Sequence, residues 1–385
     1  MKQVPLGTVC RINPTAPSDL NGTCAFVPME FVDERQAEIV RTVERPVGEL
    51  RQGYSYFADD DVLFAKITPC MENGKCAIAR NLTSGVGFGS TEFHVLRAGE
   101  VIIPEWIYFF LRQKSTRKQA ERTMTGSAGQ KRVPTRFLED VRIPLPPLPE
   151  QQRIAAILER ADRLRRLRRY ALELSAGYLQ AVFVEMFGDP ALNPMGWKQV
   201  KLSEIGKLDR GRSKHRPRNA PELYGGTYPF VQTGDIASAS GYVKTFRQTY
   251  SAAGLKQSKM WPSGTLCITI AANIAKTAIL TFDACFPDSV VGFAPNSRTN
   301  TEFIQHWLSF IQKTLEETAP ESAQKNINLE ILRDLDVPLP PLHLQQKFAH
   351  IVLKHERLRA QQREAERQAE QLFGALLGQA FRGEL

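Results

Sequence analysis

Twelve residues, VRIPLPPLPEQQ at 141–152, recur as LDVPLPPLHLQQ at 335–346, with seven positions identical and an offset of 194 in a chain of 385. An offset of about half the length restricts the chain to two copies of one architecture rather than a many-unit solenoid. The correspondence extends upstream, where Gln130 and Lys131 align with Gln324 and Lys325, and Leu138 and Asp140 with Leu332 and Asp334. KQVPLG at 2–7 also aligns with KQVKLS at 198–203, so the order of parts is A–B–A′–B′.

Each proline-rich stretch leads into a long helical pattern. Prolines 144, 146, 147 and 149 cannot lie inside a helix, but the residues from about 150 to 187 contain no proline and only Gly177 as a weak point. Ile154, Ile157, Ala161, Leu164, Leu167, Ala171, Leu174 and Tyr178 recur at steps of three or four, which predicts one apolar stripe. In the second copy Phe348, Ile351, His355, Leu358, Gln362, Ala365, Ala369, Leu372 and Leu376 keep stricter heptads, with His355 and Gln362 as polar register-setting positions. Two stripes of matching length predict one coiled coil, and about 38 residues at 1.5 Å each make a rod of roughly 57 Å.

Between the helices, β-type runs such as DVLFAKI (61–67), EFHVLRA (92–98) and GTLCITI (264–270) alternate with Gly, Pro and Asn turns, and each half carries a helical patch, at 104–122 and 301–317. The expected class is α+β: two globules with internal duplication and pseudo-two-fold symmetry, joined by two long helices. The boundaries expected are 1–143 for the first globule, 144–190 for the central helical region, 191–337 for the second globule and 338–385 for the C-terminal helical region. With 42% apolar and 24% charged residues, such globules can bury proper cores. No apolar run approaches the 18–20 residues of a membrane span and the N-terminal residues lack a signal-peptide pattern, so a cytoplasmic location is expected. The six cysteines form no CxxC pair, and reduced, mostly buried thiols are the expectation.

No motif for catalysis assembles. Gly74-Lys75 is followed by Cys76 and preceded five positions earlier by Pro69, so no P-loop exists there, and Gly85, Gly87 and Gly89 lack the GxGxxG spacing. Asn193-Pro194-Met195-Gly196 does not fit the [ND]PP[YF] loop of amino-methyltransferases. His350 and His355 are five apart, on different helix faces, and Asp59-Asp60-Asp61 reads as an acidic turn entering a strand. The chain is therefore expected to be a non-catalytic protein that itself binds no cofactor and no metal.

Fifty Lys and Arg against 41 Asp and Glu leave a net charge of +9, which favours a polyanion. In the second half Arg210, Arg212, Lys214, Arg216 and Arg218 crowd nine positions of a Gly- and Pro-containing loop, suited either to phosphates or to solvent. In the first half Lys66, Thr68, Asn73 and Lys75 surround a turn and can offer donors to base edges. GSAGQKRVPTRF (126–137) and ESAQKNINLE (321–330) place a Gln-Lys pair, ending in Lys131 and Lys325, at equivalent positions. Arg160, Arg163, Arg165, Arg166, Arg168 and Arg169 form a cluster suited equally to phosphate, solvent or protein.

PLPPLPEQQRIAAIL and PLPPLHLQQKFAHIV, with ITPCMENGK and GFGSTEFHVL in the first half and YPFVQTGDI, FPDSVVGF and QKNINLEILRDLDVPLPP in the second, closely resemble the specificity subunits of bacterial type I restriction-modification systems. The resemblance covers nearly the whole chain. It implies two target recognition domains, each reading one half of a split, asymmetric site on double-stranded DNA, held apart by two antiparallel helices. It also implies two methyltransferase (modification) subunits and motor-nuclease (restriction) subunits as partners, with S-adenosylmethionine, ATP and Mg in those partners. The DNA-binding residues then expected are Lys66, Thr68, Asn73, Lys75 and Lys131 in the first domain and Arg210, Arg212, Lys214, Arg216, Arg218, Gln232, Thr233 and Lys325 in the second. ITIAANIAK (268–276) reads as lacking the basic ENGK of its counterpart, so the second domain is expected to contact DNA differently. A non-DNA coiled-coil adaptor, and a self-contained nuclease or methyltransferase, are the alternative readings.

Overall fold

The computed structural model describes residues 1–127, 129–271, 274–318 and 327–385. They form two compact units, Met1–Leu172 with Gln362–Leu385, and Glu173–Gln361. The division cuts both long helices, so each unit consists of one globule and a segment of each helix.

In the first unit, strands Val43–Pro46, Thr23–Val27, Val86–Gly89 and Ser55–Ala58 make one sheet in that order. Cys10–Ile12, Phe93–Ala98, Val62–Ala65 and Cys76–Ile78 make a second, wholly antiparallel sheet. Val62, Leu63, Phe64 and Ala65 are all fully buried, as an uninterrupted apolar strand covered on both faces should be. One cover is the helix Pro104–Arg112, whose proline starts it without losing a needed N–H. Six consecutive residues from Trp106 to Leu111 are buried; a fully buried phenylalanine such as Phe109 contributes about 1.5–3 kcal/mol relative to exposure. The helical patch expected over 104–122 is two helices, because the apolar run ends at Leu111. Beyond Gln113, in extended conformation, Lys114–Thr123 is a separate helix that buries only Thr116 and Ala120.

The second unit repeats this plan. Gly206–Arg210, Val290–Pro295, Leu266–Thr269, Thr277–Leu280 and Tyr242–Val243 form a five-stranded sheet, and the helix Thr301–Thr318 packs on Thr277–Leu280. The repeated sequence has one structural meaning in both units. Gln151 and Gln345, each fully buried, tie the start of a long helix to the loop that enters the globule's helix. Gln151 accepts from the Ile103 amide at 3.0 Å and donates to Val101 and Pro146 carbonyls at 2.9 and 2.8 Å. Gln345 accepts from the Asn300 amide at 3.0 Å and Thr299 Oγ1 at 2.9 Å, and donates to the Pro340 carbonyl at 2.8 Å. A glutamine supplies both a donor and an acceptor to buried backbone groups that would otherwise go unpaired. The prolines hold the preceding residues extended, and Arg142–Pro144 pairs with Gln3–Pro5 as Asp336–Pro338 pairs with Gln199–Lys201.

The central helix runs over Leu148–Leu174, tightens to a 3-10 turn at Ser175–Gly177 around the weak point, and continues over Tyr178–Phe187; the C-terminal helix spans Leu342–Arg382. Within the first unit Arg165 meets Glu370 and Arg169 meets Glu366; within the second, Tyr178 stacks on His355 at 5.3 Å and Phe183 meets Phe348 at 5.4 Å. Both pairings are antiparallel. The expected seam, however, is displaced: Leu164, Leu167, Leu358 and Leu372 are exposed, whereas Asp162, Arg165, Val352, Phe373 and Leu377 are buried. The helices bury against the globules as well as each other, which rotates the buried face off the strict heptad. Phe373 and Phe381, for example, lie 6.3 Å from Phe109 and 4.4 Å from Trp106.

All six cysteines are free, and burial raises the Cys10 and Cys76 thiols to about 12. No helix among the described residues is long and apolar enough to cross a membrane.

Candidate nucleic-acid interface

Two first-domain segments singled out in the sequence are joined by a small backbone ladder. Thr68 N donates to Lys131 O at 3.0 Å, Val133 N to Lys66 O at 2.8 Å, and Arg132 pairs with both Ile67 and Thr125. Lys66, Thr68 and Lys131 therefore sit at one edge. Lys131 is exposed and Lys66 half-buried, and neither has an ion-pair partner among the described residues. Thr68 Oγ1 donates to Glu72 at 2.8 Å. The other two candidates turn away into internal bonds: Asn73 donates to Glu34 at 3.0 Å, and Lys75 Nζ to the Met29 carbonyl at 3.1 Å.

Arg132 and Glu92 also belong to this edge and were missed in the sequence. Arg132 grips Glu92 through Nε at 2.9 Å and Nη2 at 2.8 Å. The bond from Arg132 holds the Glu92 carboxyl below the usual range. Beneath the ladder, His94 accepts from Asn13 Nδ2 at Nδ1, 3.2 Å, leaving Nε2–H to donate to Val133 O at 2.8 Å. Burial, with the nearby Lys66 charge, pushes the His94 pKa down against the backbone bond that raises it. Unfolded histidine takes up a proton near pH 6.5 while folded His94 resists it, so stability should fall as pH drops below about 6.5. Thermal melts between pH 7.5 and 5.5 should show His94→Gln less stable at the upper end but less sensitive to acid; an equal acid sensitivity would remove His94 as the cause.

The second domain repeats three backbone bonds of this edge. Ala65 N to Lys75 O, 3.1 Å, is matched by Thr269 N to Lys276 O, 2.9 Å; Lys66 N to Glu92 O, 2.9 Å, by Ile270 N to Ser289 O, 3.0 Å; and Val133 N to Lys66 O by Ile327 N to Ile270 O, 3.1 Å. This corrects the reading of ITIAANIAK: Lys276 occupies the position of Lys75 and is exposed. The signal was present, since Lys75-Cys-Ala-Ile and Lys276-Thr-Ala-Ile both enter a strand. Ile270, not a cation, stands in the place of Lys66. Lys325 lies outside the described residues.

The basic loop is partly neutralised from within. Arg210 Nε donates to Asp288 O at 2.9 Å, Arg218 pairs with the Asp288 carboxylate at 2.7 Å, and Arg216 donates to Ser213 and His215 carbonyls. Arg212 and Lys214 are exposed, with no carboxylate partner among the described residues. Gln232 caps the short helix Thr233–Ser238 and donates from its side chain to Gln248 at 2.7 Å; Thr233, half-buried, opens that helix. Arg247, also missed, pairs with Asp235 at 2.7 Å beside this cap. In the arginine cluster, Arg165, Arg166, Arg168 and Arg169 bond to groups of their own unit, whereas Arg160 and Arg163 are exposed.

Comparison with known proteins agrees with this duplicated construction. The family model described as type I restriction modification DNA specificity domain matches residues 32–173 and again 194–369. The EcoAI specificity subunit of a type I restriction enzyme of Escherichia coli is 39% identical over 151 residues, 39% of this chain and 26% of that protein. The matched part thus spans about a quarter of that relative's length. A putative type I restriction enzyme specificity subunit, MjaX of Methanocaldococcus jannaschii, is 22% identical over 302 residues, 75% of this chain and 70% of that protein. Among solved structures, the type I restriction-modification S subunit from M. genitalium shares the fold at TM-score 0.62 with 13% identity, over 99% of this chain and 96% of that one. A chain from a structure of type I R-M complex assembly does so at 0.60 with 24% identity, over 100% and 98%. With the family model matching both halves, the chain belongs to the type I restriction modification DNA specificity domain family.

Proposed function

We propose that this chain is the sequence-reading subunit of a type I restriction-modification complex, each globule recognising one half of a bipartite, asymmetric site on double-stranded DNA. The reading is carried by one observation: the same strand-edge bonds are made in both domains, and each time they leave cations with no ion-pair partner among the described residues. Lys66 and Lys131 do so in the first domain, Lys276 in the second, and Arg212 and Lys214 on the second domain's loop. Unpaired cations at a fixed edge position phosphates, while neighbouring amide and hydroxyl groups suit base edges. The two long helices act in this reading as the spacer that sets the unread gap.

Chemistry belongs to partners. Methyltransferase subunits transfer a methyl group from S-adenosylmethionine to adenines, and motor-nuclease subunits supply ATP- and Mg-dependent cleavage, while this chain directs them and binds none of these cofactors. Exposed apolar side chains support such docking: Leu164, Leu167 and Tyr170 on the central helix, and Leu358, at the position equivalent to Leu164, on the C-terminal helix. Selection from a randomised duplex library, using the chain assembled with its methyltransferase partner, should enrich two short sequences at a constant separation. Recovery of all sequences alike from an active complex would defeat the proposal and favour an adaptor.

A further inference from the structure

Arg247 lies at the end of the loop between Tyr242–Val243 and the strand Gln248–Tyr250, and its Nε donates to Asp235 Oδ1 at 2.7 Å. The carboxylate is itself fixed: Oδ2 accepts from the Gln232 amide at 3.0 Å, and the Asp235 side chain is only 8% exposed. A buried carboxylate tied to backbone through one oxygen and to Nε through the other holds the guanidinium in one direction. Nη1 and Nη2 have no hydrogen-bond partner among the described residues, and the Arg247 side chain is 73% exposed despite its ion pair. Arg97 and Arg132, by contrast, grip their carboxylates through Nε and Nη2 together. A Cβ at Gly234 would lie 3.2 Å from Arg247 Nη2, so the free fork stands over the turn that carries Gln232 and Thr233.

The first unit carries an arginine in the corresponding loop. Val43–Pro46 pairs with Thr23–Val27 as Gln248–Tyr250 pairs with Tyr224–Phe230, with Phe26 facing Val43 where Phe230 faces Gln248. Arg41, two residues before Val43, is exposed and lies over the ring of Phe31, 5.3 Å from its centroid. Phe31 ends the turn that follows Thr23–Val27, just as Asp235 lies in the turn that follows Tyr224–Phe230. Each globule thus backs an exposed arginine of this loop against the neighbouring turn. Both turns adjoin the candidate interface: Lys75 Nζ donates to Met29 O at 3.1 Å in the first unit, and Thr233–Ser238 packs on the two strands that flank Lys276 in the second.

Resting on the DNA-reading function proposed above, we propose that Arg247 reads a guanine in the second domain's half-site, its Nη1–Nη2 fork meeting O6 and N7, with Asp235 as the positioning residue that aims it. The fork supplies two parallel donors, which a lysine cannot do, and a guanidinium already held in place loses less freedom on binding.

The test titrates the chain, assembled with its methyltransferase partner, with its selected duplex and with duplexes changed one base pair at a time across the half-site that exchange of segment 191–337 assigns to the second domain. The expected result for Arg247→Lys is a loss of about tenfold in preference at one G·C pair, with the other positions and the salt slope kept. Asp235→Asn should lower preference at that same pair and add nothing to Arg247→Lys in the double variant. A half-site without a G·C pair, or unchanged preference in Arg247→Lys, overturns the proposal. So does an Arg247→Gln variant that weakens every duplex alike and reduces the salt slope by about one, which marks a phosphate contact. A loss in Asp235→Asn spread over the whole half-site overturns the positioning role. All these outcomes leave a selected split motif in the wild-type complex; a wild-type complex that selects no sequence overturns the underlying reading and this proposal with it.

Discussion

Asp162→Ala is expected to lower the stability of the first unit by about 3–5 kcal/mol, the range for removing one partner from a buried charge cluster. Asp162 is 2% exposed and accepts from Arg112 Nη1 at 3.1 Å and Arg165 Nε at 2.6 Å, with Arg166 at 3.4 Å. The Arg112 and Arg165 side chains are themselves only 9% and 6% exposed. Their remaining contacts, the Tyr108 hydroxyl, the Phe373 ring and Glu370, do not replace a central carboxylate. Asp162→Asn, which keeps the acceptor but loses the charge, should fall between wild type and alanine. Urea unfolding with an unchanged m-value measures the difference; a loss below about 1 kcal/mol would show that the guanidiniums find water or other partners. The exposed pair Arg136–Asp140 serves as control, and its removal should change stability little.

The double substitution Arg212→Gln with Lys214→Gln is expected to weaken binding to all duplexes alike and to reduce the salt slope by about 2, one for each phosphate that is no longer neutralised. Lys66→Ala should behave differently, because Lys66 stands half-buried at the ladder edge beside Thr68. There the expected loss is about 1–3 kcal/mol of discrimination at one half-site, with the other unaffected. Arg218→Gln should have a smaller effect on DNA, since its guanidinium is already held by Asp288 at 2.7 Å. Binding isotherms across several salt concentrations separate these outcomes. Equal slopes in all variants would place the DNA contacts elsewhere.

The duplication was legible because its residues carry local consequences: prolines that forbid helix, and a glutamine whose two-sided hydrogen bonding recurs at Gln151 and Gln345. The strands and the long helices followed from periodicity. What periodicity could not show was which face of each helix is buried. Leu164 and Leu358 fit the stripe yet are exposed, while Asp162 and Arg165 break it yet are buried, because each helix also packs against a globule whose residues are remote in sequence. The candidate interface divided in the same way. Clusters of basic and amide residues could be seen in the sequence, but which of them are bonded internally depends on Asp288, Glu34 and the Met29 carbonyl, which only folding brings near. Lys276 was missed because the residues before it do not match ENGK as a string, whereas the equivalence lies in the strand that follows it.

The most direct test of the two-reader scheme is a map of adenine methylation made with the methyltransferase partner and either this chain or a version whose segment 191–337 comes from a relative. The expected result is a split motif with a fixed unread gap, present only when the chain is supplied, in which the exchange alters one half and preserves the other. Methylation that is independent of the chain, or an exchange that changes both halves together, would contradict the assignment of one half-site to each globule.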